Sequence, residues 1–276
     1  MEHRDETERR TAALFDALAT DYDRSGVDFL QPIGAGLVAA LQPSRGEYWL
    51  DMGCGRGAAT FPLAAAVDPG RVLGLDAAPT MIELAAATAA EQGIPNVAFV
   101  LGSAQTPDPA LGTFDGIASS LVLFFLPDPA EAVRSWLPLL RPGGRIGVTT
   151  FGDTDPRWKD VEAVLAPYMP KRDARTSGRA GPFGSDEGVE LLLDRAGFTS
   201  VRTVSQQVDA VFSSIEQWFA FSMSTGQRAG WLAVPEADRA AVRDEAARRL
   251  RTYARPDGSI AFGQAVRHTL GSRAEA

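Results

Sequence analysis

The 276-residue chain holds a single cysteine, Cys54, so no internal disulfide can form, as expected of a protein in a reducing cytoplasm. Among glycines, Cys54 reads as a small filler rather than a nucleophile. There are only two histidines, His3 and His268, and no Cys/His spacing of the zinc type, so no metal site is expected. No run of 18 apolar residues occurs, which argues against a membrane-spanning helix. The charged first ten residues are unlike a secretory leader. Basic residues are in deficit, 27 Lys and Arg against 35 Asp and Glu. The net charge of −8 makes nucleic acid and anionic membranes poor partners. No internal repeat, long linker or low-complexity segment is evident. At 45% hydrophobic and 22% charged residues, the composition is that of a globular protein long enough to bury a substantial core.

Glycine is abundant where it matters. Tyr48-Trp49-Leu50-Asp51-Met52 reads as a short apolar strand, and Gly53, Gly55 and Gly57 make a sharp turn into a helix that runs to Val67. Free N–H groups and the helix dipole at that N-terminus favour a carboxylate or a phosphate. Gly53, Gly55 and Ala58 satisfy the looser dinucleotide pattern, which leaves an NAD-dependent oxidoreductase open at this point. A second strand, Arg71 to Asp76, ends in an acidic residue, the position that binds ribose hydroxyls in nucleotide sites of this type. Further strands are predicted at Val97–Leu101, Phe114–Ser120, Ile146–Phe151, Thr199–Val208 and Ser259–Leu270. Helices are predicted at 6–20, at 27–41 with an interruption near Pro32, from Pro79, and at 130–140, 185–196, 213–233 and 236–255. The charge of the last of these helices reads as a solvated face.

Asp51-x-Gly53-x-Gly55-x-Gly57 resembles the first motif of the class I S-adenosylmethionine (SAM) methyltransferases. Phe15 to Asp23 resembles the segment before the SAM domain in the small-molecule branch related to quinone-biosynthesis enzymes. Gly102-Ser103-Ala104-Gln105 stands where that family has Gly-Asp-Ala-Glu, and Leu140-Arg141-Pro142-Gly143-Gly144 matches its Leu-x-Pro-Gly-Gly turn. The matching stretches run in order over residues 12–151. An NAD enzyme would not be expected to supply the last of them.

The resemblance implies an α/β fold: a Rossmann-like, seven-stranded, mostly parallel sheet of order 3-2-1-4-5-7-6 with strand 7 antiparallel. Residues 1–43 are expected to form a helical lid. Residues 44–276 are expected to form the SAM domain, with substrate-wall insertions near 154–184 and 209–256. SAM is the implied cofactor and S-adenosylhomocysteine the product. Asp51 would hold the methionyl ammonium and the turn at Gly53 and Gly55 the carboxylate, with Tyr22 over the methionyl end. Asp76, followed by Ala77, would take the ribose. Met81, Ser103 and Ala104 would face the adenine, where a neutral Ser103 departs from the family's aspartate. Ser119, Ser120 and Leu121, at a strand's C-terminal end, would lie beside the methyl group.

The expected activity is methyl transfer to oxygen or carbon of a small apolar or aromatic metabolite. A cyclase or pericyclase that reuses the fold without methyl transfer is the alternative, because fold does not dictate chemistry. The acceptor is expected against Tyr22, Phe29, Phe125, Trp158, Phe183 and Trp218. Tyr22, Phe125 and Trp158 are the positioning candidates, and no catalytic base is assigned. The remaining candidates are a carboxylate such as Asp153, Asp155 or Glu216, a tyrosine or water, or no base at all, and neither histidine is expected to act.

Overall fold

A computed structural model describes residues 2–169 and 181–275, the side chains of residues 2–5 excepted. His3 and part of the expected 154–184 insertion therefore lie outside the described side chains. Seven strands, β1 (Tyr48–Met52), β2 (Arg71–Asp76), β3 (Val97–Leu101), β4 (Phe114–Ser120), β5 (Leu140–Thr154), β6 (Thr199–Phe212) and β7 (Ile260–Ser272), form one sheet of order β3-β2-β1-β4-β5-β7-β6. β1 pairs in parallel with β2 and β4, and β3 and β5 extend the parallel part on either side. β7 runs antiparallel between β5 and β6.

Side chains alternate across the strands, so neighbouring residues of β1 serve opposite faces. Trp49 packs with Leu37, Leu41 and Leu63 of α2 (Leu30–Leu41) and α3 (Thr60–Val67). Leu50 packs with Phe114, Ile117 and the residues of α5 (Pro129–Trp136) and α7 (Asp186–Arg195). A Cβ on Gly116 would lie 2.4 Å from the Trp49 ring, so β4 makes room for the indole by carrying glycine there. A third core sits beyond the nucleotide-binding part of the sheet. There Trp158 of α6 (Pro156–Glu162), Trp218 and Phe221 of α8 (Ile215–Met223), and Leu250 of α10 (Glu236–Tyr253) cover Phe212 and Phe262 on the long ends of β6 and β7.

Several boundaries differ from expectation for local reasons. Pro32 does not interrupt α2. The helix starts at Leu30, and Pro32 lies in its first turn, where a backbone N–H has no intrahelical partner to lose. The predicted helix over 213–233 divides into α8 and α9 (Arg228–Ala233), with Ser224 N–H closing α8 on the carbonyls of Ala220 and Phe221. β5 begins at Leu140, because Phe114 pairs with Leu140 before an irregularity in the register. The first helix, α1 (Glu2–Leu18), lies against α4 (Pro79–Gln92). Ala78 stands at the N-cap of α4 without a capping side chain, and Asp16 of α1 accepts the Thr80 N–H at 2.7 Å in its place.

Candidate active site

The glycine turn joins β1 to α3 at the C-terminal edge of the parallel strands. The N–H groups of Gly53 and Cys54 both donate to Leu75 O, at 2.7 and 2.9 Å, which fastens the turn to β2. Gly53 has φ 76°, and a Cβ there would lie 2.5 Å from Val122 Cγ2, so both backbone and space require glycine. Gly55 has φ 51°, and an added Cβ would meet nothing nearer than Tyr22, at 4.0 Å. Gly55 is thus a bare stretch of backbone facing open space. α2 backs the turn so closely that a Cβ on Gly34 would lie 2.2 Å from Ala58 O.

Two adjoining cavities open on this turn, with empty volumes of about 710 and 440 Å3. Both are bordered by Tyr22, Gly53, Gly55, Ser120 and Leu121. The smaller one reaches Asp51, Cys54 and Arg56. The larger one runs over Asp76, Ala77, Met81 and Ala104 and is closed on its far side by Glu8, Thr11, Ala12 and Phe15 of α1. Leu121, where β4 gives way to the next loop, has φ 60°, a costly conformation for leucine at the rim of a site.

Electrostatics mark the smaller cavity for a cation. Asp51 is buried, and its Oδ2 accepts the Thr60 hydroxyl at 2.6 Å, while Oδ1 has no partner. Burial pushes its pKa up to about 7; the Thr60 hydrogen bond opposes the shift and the Asp76 charge adds to it. A ligand ammonium would satisfy the orphaned oxygen. Asp76 accepts from Gly55 N–H at 2.8 Å and Ala78 N–H at 2.9 Å. Burial raises its pKa, and those backbone donors pull it back. Both carboxylates keep lone pairs for a ligand. A group with one cationic end, a carboxylate and a ribose fits these residues, and SAM is such a group.

The segment over the turn is tied down by the turn itself. Arg56 Nη1 donates to the carbonyls of Ala19, Thr20 and Tyr22, at 3.0, 3.4 and 3.4 Å. Phe15 meets Tyr22 edge-on at 5.9 Å and Phe125 at 4.9 Å. Burial raises the Tyr22 hydroxyl above its ordinary range, so Tyr22 stays neutral.

Of the residues singled out from sequence, Tyr22, Asp51, Gly53, Gly55, Asp76, Ala77, Met81, Ala104, Ser120 and Phe125 line one or both cavities. Ser103 and Ser119 do not. Ser103 donates to Glu8, and Ser119 donates across the sheet to Met52 O at 3.0 Å. The acceptor wall needs correction. Trp158 is wedged among Phe29, Phe212, Phe221 and Phe262 in the third core, 3% exposed, with no face left for a ligand. Phe29 and Trp218 are buried in the same core, and Phe183 stands behind Phe124, 6.2 Å from it. The aromatic density of these segments therefore serves packing. Sequence reasoning passed over Glu8, Thr11 and Ala12, whose only signal was the amphipathic pattern of α1.

None of Asp153, Asp155 and Glu216 borders either cavity. Asp155 caps α6 and is held below the usual carboxylate range by the Arg157 guanidinium. His268 is buried on β7 between Thr149 Oγ1 and Gln206 Oε1, each 2.8 Å away, and burial lowers its pKa to about 4. Gln206 Oε1 can only accept, so His268 donates from Nε2 and takes the Thr149 hydroxyl at Nδ1. Among the described residues no cluster of His, Cys, Asp and Glu could hold a metal ion, and no helix is long and apolar enough to cross a membrane.

Comparison with known proteins identifies the family. The family described as a methyltransferase domain matches residues 50–144. Nocamycin O-methyltransferase of Saccharothrix syringae is 38% identical over 257 residues, which cover 87% of this chain and 91% of that one. Aklanonic acid methyltransferase DauC of Streptomyces sp. is 41% identical over 143 residues, 51% of this chain and 65% of the relative. Demethylmenaquinone methyltransferase of Lactococcus lactis is 28% identical over 211 residues, 70% of this chain and 84% of the relative. Among solved structures, the YcgJ protein of Bacillus subtilis superposes with a TM-score of 0.57 at 19% identity, over 88% of this chain and 99% of that one, a likeness of fold. The chain belongs to the class I SAM-dependent methyltransferases, in the branch related to the quinone-biosynthesis enzymes.

Proposed function

We propose that this methyltransferase acts at oxygen or carbon of a small, apolar, natural-product-type acceptor. The observation that carries the reading is the pair of rings that line the larger cavity, backed by further rings packed behind them. Phe15 and Phe125 border it, Phe124 packs on Phe125 at 4.7 Å, and Phe151 follows at 5.5 Å from Phe124. Such a wall favours flat apolar molecules by burial and ring contact. The relatives named for nocamycin and aklanonic acid support the same substrate class.

SAM, when bound, supplies an already activated electrophilic methyl group. Asp51 would take the cofactor's ammonium on its unpartnered oxygen, and the Gly53–Gly55 backbone would admit the carboxylate. Asp76 would take the ribose, and Ala77, Met81 and Ala104 would form the apolar bed for the base. Ser120, Leu121 and Tyr22, which border both cavities, would lie by the reacting end. Residues 1–43 act as a lid over a SAM domain formed by 44–276, and α1 with Tyr22 excludes water from the site. Catalysis is then chiefly alignment of the acceptor. No residue is assigned as base, and a lone, buried, unpaired cysteine supports a cytoplasmic location.

The test is turnover with SAM and a panel of apolar aromatic and polyketide-type acceptors, followed by mass spectrometry. A methylated product formed with equal S-adenosylhomocysteine is expected. Conversion of an acceptor without S-adenosylhomocysteine would establish the cyclase alternative. Methylation confined to polar amine acceptors would overturn the substrate class.

A further inference from the structure

We infer that Glu8, on the N-terminal helix, reads the base of the bound nucleoside by accepting a hydrogen bond from its exocyclic amine. The inference rests on the cofactor reading above and adds a residue to it. Besides Asp76, the larger cavity is lined by Ala77, Met81, Ala104 and Leu126 and, from α1, by Thr11, Ala12 and Phe15. This is a slot for a flat, apolar ring, with few polar side chains to orient it.

The two oxygens of Asp76, at the entrance, each already accept a backbone N–H. Glu8 is the other carboxylate bordering this cavity. It is half-buried and held in place by a directed relay. Thr106 N–H donates to Ser103 Oγ at 3.0 Å, which leaves the Ser103 hydroxyl proton for Glu8 Oε1. No described side chain donates to the second carboxylate oxygen of Glu8. A carboxylate oxygen beside an apolar slot, partly shielded from water, gains from a donor and is penalised by another acceptor. An amino-purine brings an N–H donor to the edge of such a slot, whereas an oxo-purine brings a carbonyl. Glu8 therefore selects adenine over hypoxanthine. It also links base recognition to the seating of α1, because the selecting residue lies on that helix rather than on the sheet.

The test uses the full chain and two ligands that differ at one position, S-adenosylhomocysteine and S-inosylhomocysteine, measured by calorimetry. Wild type is expected to prefer the adenine compound at least tenfold. Glu8→Gln, whose amide can donate as well as accept, is expected to bring the two affinities within threefold of each other. Amide hydrogen exchange in α1 should slow on adding S-adenosylhomocysteine and less so with the inosine compound. A Glu8→Gln variant that keeps the wild-type preference overturns the inference, as does a wild type that binds both ligands equally. A wild type that binds neither overturns the cofactor reading itself.

Discussion

Replacing Asp51 with asparagine keeps the shape of the side chain and its bond to Thr60 but removes a buried charge. In the folded chain burial raises the Asp51 pKa from 3.8 to about 7. A difference of about three units corresponds to about 4 kcal/mol. Below the unfolded value both states are protonated, and Asp51 does not affect stability. As pH rises from about 4 to about 7 the unfolded chain releases the proton first, so wild type loses stability through that window. Above it the full penalty stays.

Asp51→Asn carries no such penalty. Its stability relative to wild type should therefore rise by about 2–3 kcal/mol between pH 5 and pH 8. Denaturant unfolding of the ligand-free protein at the two pH values measures this, and taking the difference removes every titration the two proteins share. Binding should move the other way. An ammonium–carboxylate pair contributes about 1.5–3 kcal/mol, so Asp51→Asn should bind S-adenosylhomocysteine roughly ten- to a hundredfold more weakly at pH 8. Wild-type affinity should fall by up to about tenfold per pH unit below 7 while that of the variant stays flat. An equal stability difference at pH 5 and pH 8, with unchanged affinity, would refute the assignment of Asp51 as a buried, cation-seeking carboxylate.

Asp76→Ala should weaken both SAM and S-adenosylhomocysteine by about 1.5–3 kcal/mol in calorimetry; unchanged affinities would remove Asp76 from the ribose site. Deletion of residues 1–26 should abolish turnover while circular dichroism still reports a folded sheet domain, because β1 begins only at Tyr48; a fully active truncation would count against a lid. His3→Ala with His268→Ala should keep kcat within about tenfold, roughly 1.4 kcal/mol on the barrier. The double variant should also unfold more easily, since Thr149 and Gln206 lose their shared partner. A thousandfold fall in a folded, cofactor-loaded variant would make His268 the base.

The places of the candidate donor residues around the cavities were legible because they depend on local structure. Asp51, the glycines and Asp76 sit at strand ends, and a strand followed by a glycine turn and a helix can put them in only one place. The sheet order was legible from the family resemblance, and local pattern located each strand. What remained hidden depends on how distant pieces dock. Glu8, Thr11 and Ala12 look like any amphipathic helix until α1 is laid on α4. Ser103 read as a weak direct contact, whereas its hydroxyl is turned toward Glu8. Trp158 and Trp218 misled for the opposite reason. An aromatic residue in an insertion has the same composition whether it walls a pocket or fills a core, and the long ends of β6 and β7 needed a core of their own.

The borrowed cap at Thr80 has a consequence. A capping side chain is worth about 0.5–2 kcal/mol, and α4 draws its cap from Asp16 rather than from its own Ala78. Any excursion of α1 from the cavity therefore uncaps α4, and the first turn of α4 carries Met81 on the cavity wall. Movement of α1 away from the cavity and loosening of the helix start that carries Met81 are therefore coupled through one hydrogen bond.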